Sequence, residues 1–238
     1  DEPVTVILSK NGWVRRRDGH GIDPTSITYK AGDYPYLVAE TRTIWPLVVV
    51  DSNGRAYSLR VSDLPGGRGD GAPITTMIDM QAGARVAVAL SDAPETPYLF
   101  ANSGGYGFIA RVSDLVTRQK AGKAFMSLQQ DERVLQPAKA TGDTIAAVSE
   151  SGRLLLFAIG EMKIQSAGRG VLVMGLDDKE ALVGVVVNDG SRVVVEGVGR
   201  GGRTVPCKVS GRDIEKYRLH RARKGCLLPV KMKPAFIL

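Results

Sequence analysis

The sequence predicts an all-β fold of five blade-like units, and three observations carry that prediction. Strand-like runs dominate the 238 residues, and no long amphipathic helical pattern interrupts them. A glycine turn recurs five times, at Gly12, Gly54, Gly105, Gly152 and Gly202, in steps of 42, 51, 47 and 50 residues. A second glycine, set among basic residues, follows each turn at a similar phase. A repeat of roughly 40–50 residues filled with strands is the pattern of a bladed, propeller-like architecture. The predicted blades are residues 1–45, 46–96, 97–142, 143–190 and 191–238 of a single domain.

Each blade opens with a short apolar or β-branched run, at residues 4–8, 47–50, 98–101, 144–148 and 181–187. Each run leads to one of the turns: Ser9-Lys10-Asn11-Gly12-Trp13, Asp51-Ser52-Asn53-Gly54-Arg55, Ser103-Gly104-Gly105-Tyr106, Ser149-Glu150-Ser151-Gly152-Arg153 and Gly199-Arg200-Gly201-Gly202-Arg203. Partner strands follow at 13–16, 55–59, 106–111, 153–158 and 203–208. Asn53-Gly54 favours a two-residue hairpin, because both positions tolerate positive φ. A segment bearing Asp or Glu comes next, and Ser-Asp-Leu occurs in it twice, at Ser62-Asp63-Leu64 and Ser113-Asp114-Leu115. Residues 115–120 and 214–220 each read as a helical turn or two. After the second glycine a further strand is expected, as at 124–128 and 171–176. Trp13 and Trp45 are expected in the core.

Net charge is +7 and the sequence pI is near 9.5, which suggests a polyanion partner. The charge is concentrated: residues 198–233 carry 11 Lys/Arg against Asp213 and Glu215, so this stretch is +9 and the remainder −2. The loops around the second glycines supply the candidate DNA-binding residues Lys30, Arg68, Arg118, Lys120, Lys123, Arg169, Arg221, Arg223 and Lys224. Arg15 and Arg16, from Arg15-Arg16-Arg17, form a smaller patch. Glycine lets the backbone approach a phosphate, and Lys and Arg neutralise it. Solvated turn residues are the competing reading of any single loop; five in phase favour a polyanion track.

Catalytic and metal-binding patterns are missing. His20 and His220 are the only histidines, each in a polar context. No GxSxG, HExxH or P-loop sequence occurs. Gly197-Val198-Gly199-Arg200-Gly201-Gly202 lies between strands and opens no helix, so it is no dinucleotide loop. Cys207 and Cys226 stand apart, without a CxxC pair, and indicate neither a disulfide framework nor a zinc site. That usage, with no signal-peptide pattern and no apolar run near 18 residues, leads to an expected cytoplasmic, nucleoid-associated location without membrane integration. The abrupt start on a strand suggests a domain cut from a longer protein.

Specific residues carry a family resemblance. Glu2-Pro3-Val4-Thr5, Gly12-Trp13-Val14-Arg15, Tyr29-Lys30-Ala31-Gly32-Asp33, Leu64-Pro65, Arg68-Gly69, Gly71, Gly105-Tyr106-Gly107-Phe108, Asp114-Leu115-Val116, Arg118, Ala121-Gly122-Lys123-Ala124 and Gly152-Arg153 follow one another in order. Together they resemble the C-terminal β-pinwheel domain of the A subunit of bacterial type IIA topoisomerases, nearer to topoisomerase IV than to gyrase. Gyrase A subunits carry a box of the form Q-R/K-R-G-G-R/K-G in the first blade. Tyr29-Lys30-Ala31-Gly32-Asp33 stands there instead, and only Gly66-Gly67-Arg68-Gly69 and Ser166-Ala167-Gly168-Arg169-Gly170 look like degenerate relatives. The resemblance implies an open or broken five-bladed ring whose basic rim binds and bends duplex DNA without sequence preference. It presents that DNA for ATP-dependent decatenation or relaxation. It implies that the catalytic tyrosine and the ATP and Mg²⁺ sites lie outside this domain, which itself has no cofactor. The implied partners are duplex DNA and the rest of the A subunit, with the ATPase B subunit completing a heterotetramer. A gyrase-type chiral wrapping domain and a propeller-like protein-interaction module are the alternatives.

Overall fold

The computed structural model describes residues 1–238 and contains five small antiparallel sheets. The first repeat supplies β1 (Pro3–Ser9), β2 (Trp13–Asp18) and β3 (Pro35–Arg42). The second supplies β4 (Pro46–Asp51), β5 (Arg55–Arg60), β6 (Ala72–Pro73) and β7 (Val86–Ser91). The third supplies β8 (Pro97–Ala101), β9 (Tyr106–Arg111), β10 (Lys123–Ala124) and β11 (Ala138–Lys139). The fourth supplies β12 (Thr144–Ser149), β13 (Arg153–Ala158), β14 (Val171–Leu172) and β15 (Leu182–Asn188). The fifth supplies β16 (Arg192–Val198), β17 (Thr204–Ser210), β18 (Cys226–Leu227) and β19 (Lys233–Ile237).

Four sheets share one layout. The first hairpin strand is central, flanked by the second and third strands of its own repeat. The outer edge of the second strand is then closed by a two-residue strand lent by the next repeat. The orders are β3-β1-β2-β6, β7-β4-β5-β10, β11-β8-β9-β14 and β15-β12-β13-β18. Strand exchange is the feature the sequence did not announce: β10 and β14 are far shorter than the runs at 124–128 and 171–176 suggested. The central place of the first strands explains their continuous apolar sequences. β12 is buried at all six positions, having neighbours on both edges and packing on both faces. β16, by contrast, alternates buried and open positions.

The four regular hairpins turn in one way. Gly12, Gly54, Gly105 and Gly152 donate N–H bonds of 3.0 Å to Ser9, Asp51, Asn102 and Ser149, and each glycine has φ between 86° and 92°. Asn53 is not in a positive-φ conformation, so Asn53-Gly54 forms a three-residue loop rather than the expected two-residue one. The first turn residues are all buried polar groups. Their side chains accept from the backbone four residues on: Trp13 donates to Ser9, Arg55 to Asp51, Tyr106 to Asn102 and Arg153 to Ser149. Asp51 also accepts from the Tyr57 hydroxyl at 2.7 Å; burial first, and Asp51 second, push that phenol up to about 12.

The fifth repeat departs from expectation. Residues 182–188 form the third strand of the fourth sheet, and Arg192–Val198 leads into the 199–203 turn. The overlooked punctuation is a tight turn in which Asn188 and Asp189 side chains accept from the Gly190 and Ser191 N–H groups. The fifth sheet has three strands, β17-β16-β19. Val194 exchanges both backbone bonds with Leu238, so its neighbour Val195 faces β17 and pairs with Cys207. Pro206, next to Cys207, therefore turns its nitrogen to the outer edge. Lacking an N–H there, it blunts the edge against a further strand.

The helical segments are short 3-10 turns. Two of them, Val112–Leu115 and Gly211–Tyr217, lie earlier than the 115–120 and 214–220 expected. The Asp114 carboxylate accepts from the Arg111 N–H at 2.8 Å and starts the former. No helix is long and apolar enough to cross a membrane. The chain divides into two compact units, residues 1–96 with 111–126, and residues 97–110 with 127–238. The first unit holds the first two sheets around Val6, Leu47, Tyr57 and Ile74. The second holds the other three, around Ile145, Leu155 and Val173 and around Val195, Val209 and Tyr217. Trp13 and Trp45 are only partly buried, against expectation; the largest core side chains are Tyr57, Tyr217, Phe100, Phe108 and Phe125.

Candidate nucleic-acid interface

The second glycine has a structural cause in the later repeats. The expected Gly32, by contrast, lies in the loop before β3, where a Cβ would meet open space. In the second repeat Gly71, rather than Gly66, Gly67 or Gly69, holds the exchange position. Gly71, Gly122, Gly170 and Gly225 immediately precede the exchanged strands β6, β10, β14 and β18 and have φ between 70° and 88°. A Cβ on any of them would collide with a carbonyl oxygen of the second hairpin strand: Val14, Ala56, Gly107 and Leu154 respectively. Each of those is the second residue of its strand. The glycine thus lets the incoming segment lie flat on the preceding sheet, and its recurrence needs no phosphate.

Around this constant glycine the cations divide into two groups. In the first, guanidinium groups tie the loops down. Arg15 is 4 % exposed and donates to the carbonyls of Gly69 and Thr28, the latter at 2.5 Å. Arg55 donates to Ala121 and Gly122, and Arg153 reaches Gly225 at 3.4 Å. Arg221 donates to Leu172 at 2.8 Å while its own N–H meets Glu161. Arg169 forms a bidentate pair with Glu132 at 2.8 and 2.7 Å and stacks 4.1 Å above the Tyr106 ring. The hydrogen bonds from Arg169 hold the Glu132 carboxyl below its ordinary range. Arg15, Arg169 and Arg221, expected as phosphate contacts, are thus engaged as scaffold through guanidinium N–H groups that meet carbonyls or a carboxylate, although the buried Arg221 Nε has no partner.

The second group faces solvent. Arg68, Arg118, Lys120 and Arg223 are exposed and make no ion pair. Lys123 is half-buried and donates to the Val116 carbonyl at 3.0 Å. Lys30 lies 4.1 Å over the Trp13 ring and 3.8 Å from Asp70. Lys224 pairs with Asp177, and that contact holds the Asp177 carboxyl low. Arg16 pairs with Asp18 at 3.1 Å. Arg118 and Lys120, with Arg60, line a cleft of about 470 Å³ whose only carboxylate is Asp63. Arg60 was not among the residues expected from the sequence, whereas exposed Arg200, Arg203, Arg212 and Lys231 belong to the 198–233 charge run. His20 Nε2 donates to the Thr41 carbonyl at 2.8 Å, and His220 is 82 % exposed beside Glu161.

Sheets that lend a strand to their neighbours, a constant glycine at every exchange and solvent-facing cations beside it define a β-pinwheel with a polyanion-compatible surface. The family model described as DNA gyrase C-terminal domain, beta-propeller, matches residues 98–139 and 143–189. The solved structure of the E. coli ParC C-terminal domain superposes with a TM-score of 0.89 at 30% identity, covering 100% of this chain and 98% of that one. The A subunit of DNA topoisomerase 4 from Neisseria gonorrhoeae is 36% identical over 241 residues, 97% of this chain and 31% of the relative. The Haemophilus influenzae protein of the same name is 35% identical over 235 residues, 96% of this chain and 31% of the relative. The chain belongs to the family of C-terminal domains of topoisomerase IV and gyrase A subunits. It spans about a third of the length of these curated relatives.

Proposed function

We propose that this domain binds duplex DNA without sequence preference and bends it, holding a segment for the strand-passage reaction of a type IIA topoisomerase. The observation that carries the reading is the set of exposed cations without ion pairs in the exchange loops, Arg68, Arg118, Lys120 and Arg223, together with the strongly positive sequence of the fifth repeat. Cations spaced along a surface neutralise phosphates and release condensed counterions, which gives affinity without reading bases. Bending a 20–30 base-pair site costs on the order of a few kcal/mol, and additional phosphate contacts offset it. On this reading the domain works within a longer A subunit that joins an ATPase B subunit. The catalytic tyrosine and the ATP and Mg²⁺ sites belong to those other parts. The site would be the exchange loops and Lys30 of the loop before β3, with Lys30 and Lys224 contributing once their surface ion pairs give way and Lys123 once it leaves the Val116 carbonyl.

The test is a titration of a roughly 40 base-pair duplex, dye-labelled at both ends, from low to moderate salt. Affinity falling steeply with salt while the ends draw together is the expected result. A flat salt dependence, or ends that stay apart, overturns binding by phosphate contact or bending respectively. Unchanged affinity in a Lys120→Glu, Lys123→Glu double variant at low salt would remove that loop from the interface.

A further inference from the structure

The first unit exposes an apolar groove that phosphate contacts do not explain. Ile44, Trp45, Pro46, Pro94 and Val116 line it, with Arg60 among them, around a volume of about 650 Å³. Ile44 is 62 % exposed and Val116 42 %. Apolar side chains gathered on an open surface mark a place that another apolar surface covers. The duplex exterior offers charged phosphates, so the complementary occupant is a polypeptide with apolar side chains.

The surrounding charge defines that polypeptide further. No carboxylate lines the groove. At Pro46, Arg60 and Val116 it is continuous with the cleft that carries Arg118 and Lys120, where Asp63 is the only acidic group. Arg60, Arg118 and Lys120 are exposed, and none has an ion-pair partner. A neutral or basic segment would leave these three cations uncompensated along its flank. An acidic one pairs with them while its apolar residues cover the groove.

We propose that this groove docks an acidic polypeptide segment, its apolar side chains against Trp45 and Val116 and its carboxylates against Arg60, Arg118 and Lys120. The proposal stands independently of the DNA reading. Where both hold, peptide and duplex share Arg118 and Lys120 and compete.

The experiment uses the 238-residue chain and a fluorescein-labelled peptide of roughly twelve residues alternating Glu with Leu and Trp, read by fluorescence anisotropy without DNA. A second peptide replaces every Glu by Gln. The acidic peptide is expected to bind about tenfold more tightly than the Gln peptide. Val116→Asp and Arg60→Glu should each weaken it about fivefold or more, while Lys163→Glu, an exposed lysine of the second unit, leaves it unchanged. Ile44→Asp serves as a second apolar probe, and thermal unfolding confirms that each variant is folded. Equal binding of the two peptides overturns the acidic partner. Equal weakening by Lys163→Glu, or none by Val116→Asp and Ile44→Asp, overturns the groove as the docking site.

Discussion

The glycine loops before β10 and β14 hold the same place in successive repeats, yet they use their cations in opposite ways. In the loop before β14, Arg169 is bound bidentately to Glu132 and stacked on Tyr106. In the loop before β10, Arg118 and Lys120 reach solvent with no carboxylate partner, and the guanidinium that fastens the loop is Arg55, contributed by β5. Repeat phase thus fixes where a strand crosses to the next sheet and which residue must be glycine there. It does not fix whether a nearby cation is scaffold or surface. That depends on whether some distant segment provides a carboxylate or a carbonyl.

The largest effects should come from what the two loops share. Gly170→Ala places a Cβ against the Gly107 carbonyl at a φ of 78° and is expected to cost about 3 kcal/mol, read by urea or thermal unfolding. Gly202→Ala has a nearly equal φ of 75° but open space around its Cβ, so about 1 kcal/mol is expected. Equal costs for the two would mean that backbone conformation alone, and not the close approach at strand exchange, demands the glycine.

Next in size is the difference itself. Arg169→Ala leaves the mostly buried Glu132 without its partner and should cost about 2 kcal/mol. Acid offers a gentler version. Because Glu132 is held below its ordinary value in the folded protein, the stability it contributes is complete above the unfolded carboxylate range near 4.5 and fades as pH falls through its lower folded value. A Glu132→Gln variant should therefore lose stability at neutral pH and show a flatter decline below about pH 4.5 than the parent chain. Parallel decline of the two would show that other carboxylates dominate the acid limb.

This contrast also marks how far the sequence could be read. The first four hairpins, their turn glycines and the exchange glycines Gly122, Gly170 and Gly225 were legible, because each depends on residues within a few positions of one another. Gly32 shares the composition of those loops but not their place. The side chains of Ser9, Asp51, Asn102 and Ser149 close their own turns only four residues ahead. Strand exchange was not legible: β10 and β14 are two residues long, and their partners lie far back in the chain. Glu132 is 37 residues from Arg169 and nothing local announces their pairing. The same applies to Arg15, whose sequence neighbours Arg16 and Arg17 suggest a surface patch although its head is buried against the Gly69 and Thr28 carbonyls.

The smallest effect on stability is expected where the effect on DNA is clearest. Arg118→Ala with Lys120→Ala removes two exposed side chains without ion pairs, so unfolding should shift by no more than about 0.5 kcal/mol. If both contact phosphates, affinity for a generic duplex falls, and the slope of log affinity against log salt becomes shallower by about 2. Arg169→Ala gives the converse pattern: a clear loss of stability, with a salt slope close to the parent's once the folded fraction is taken into account. The pair of slopes decides the comparison. If Arg169→Ala changes the slope as much as the double variant does, Glu132 is a latch that DNA displaces, and the cation held in the loop before β14 is a phosphate contact in waiting.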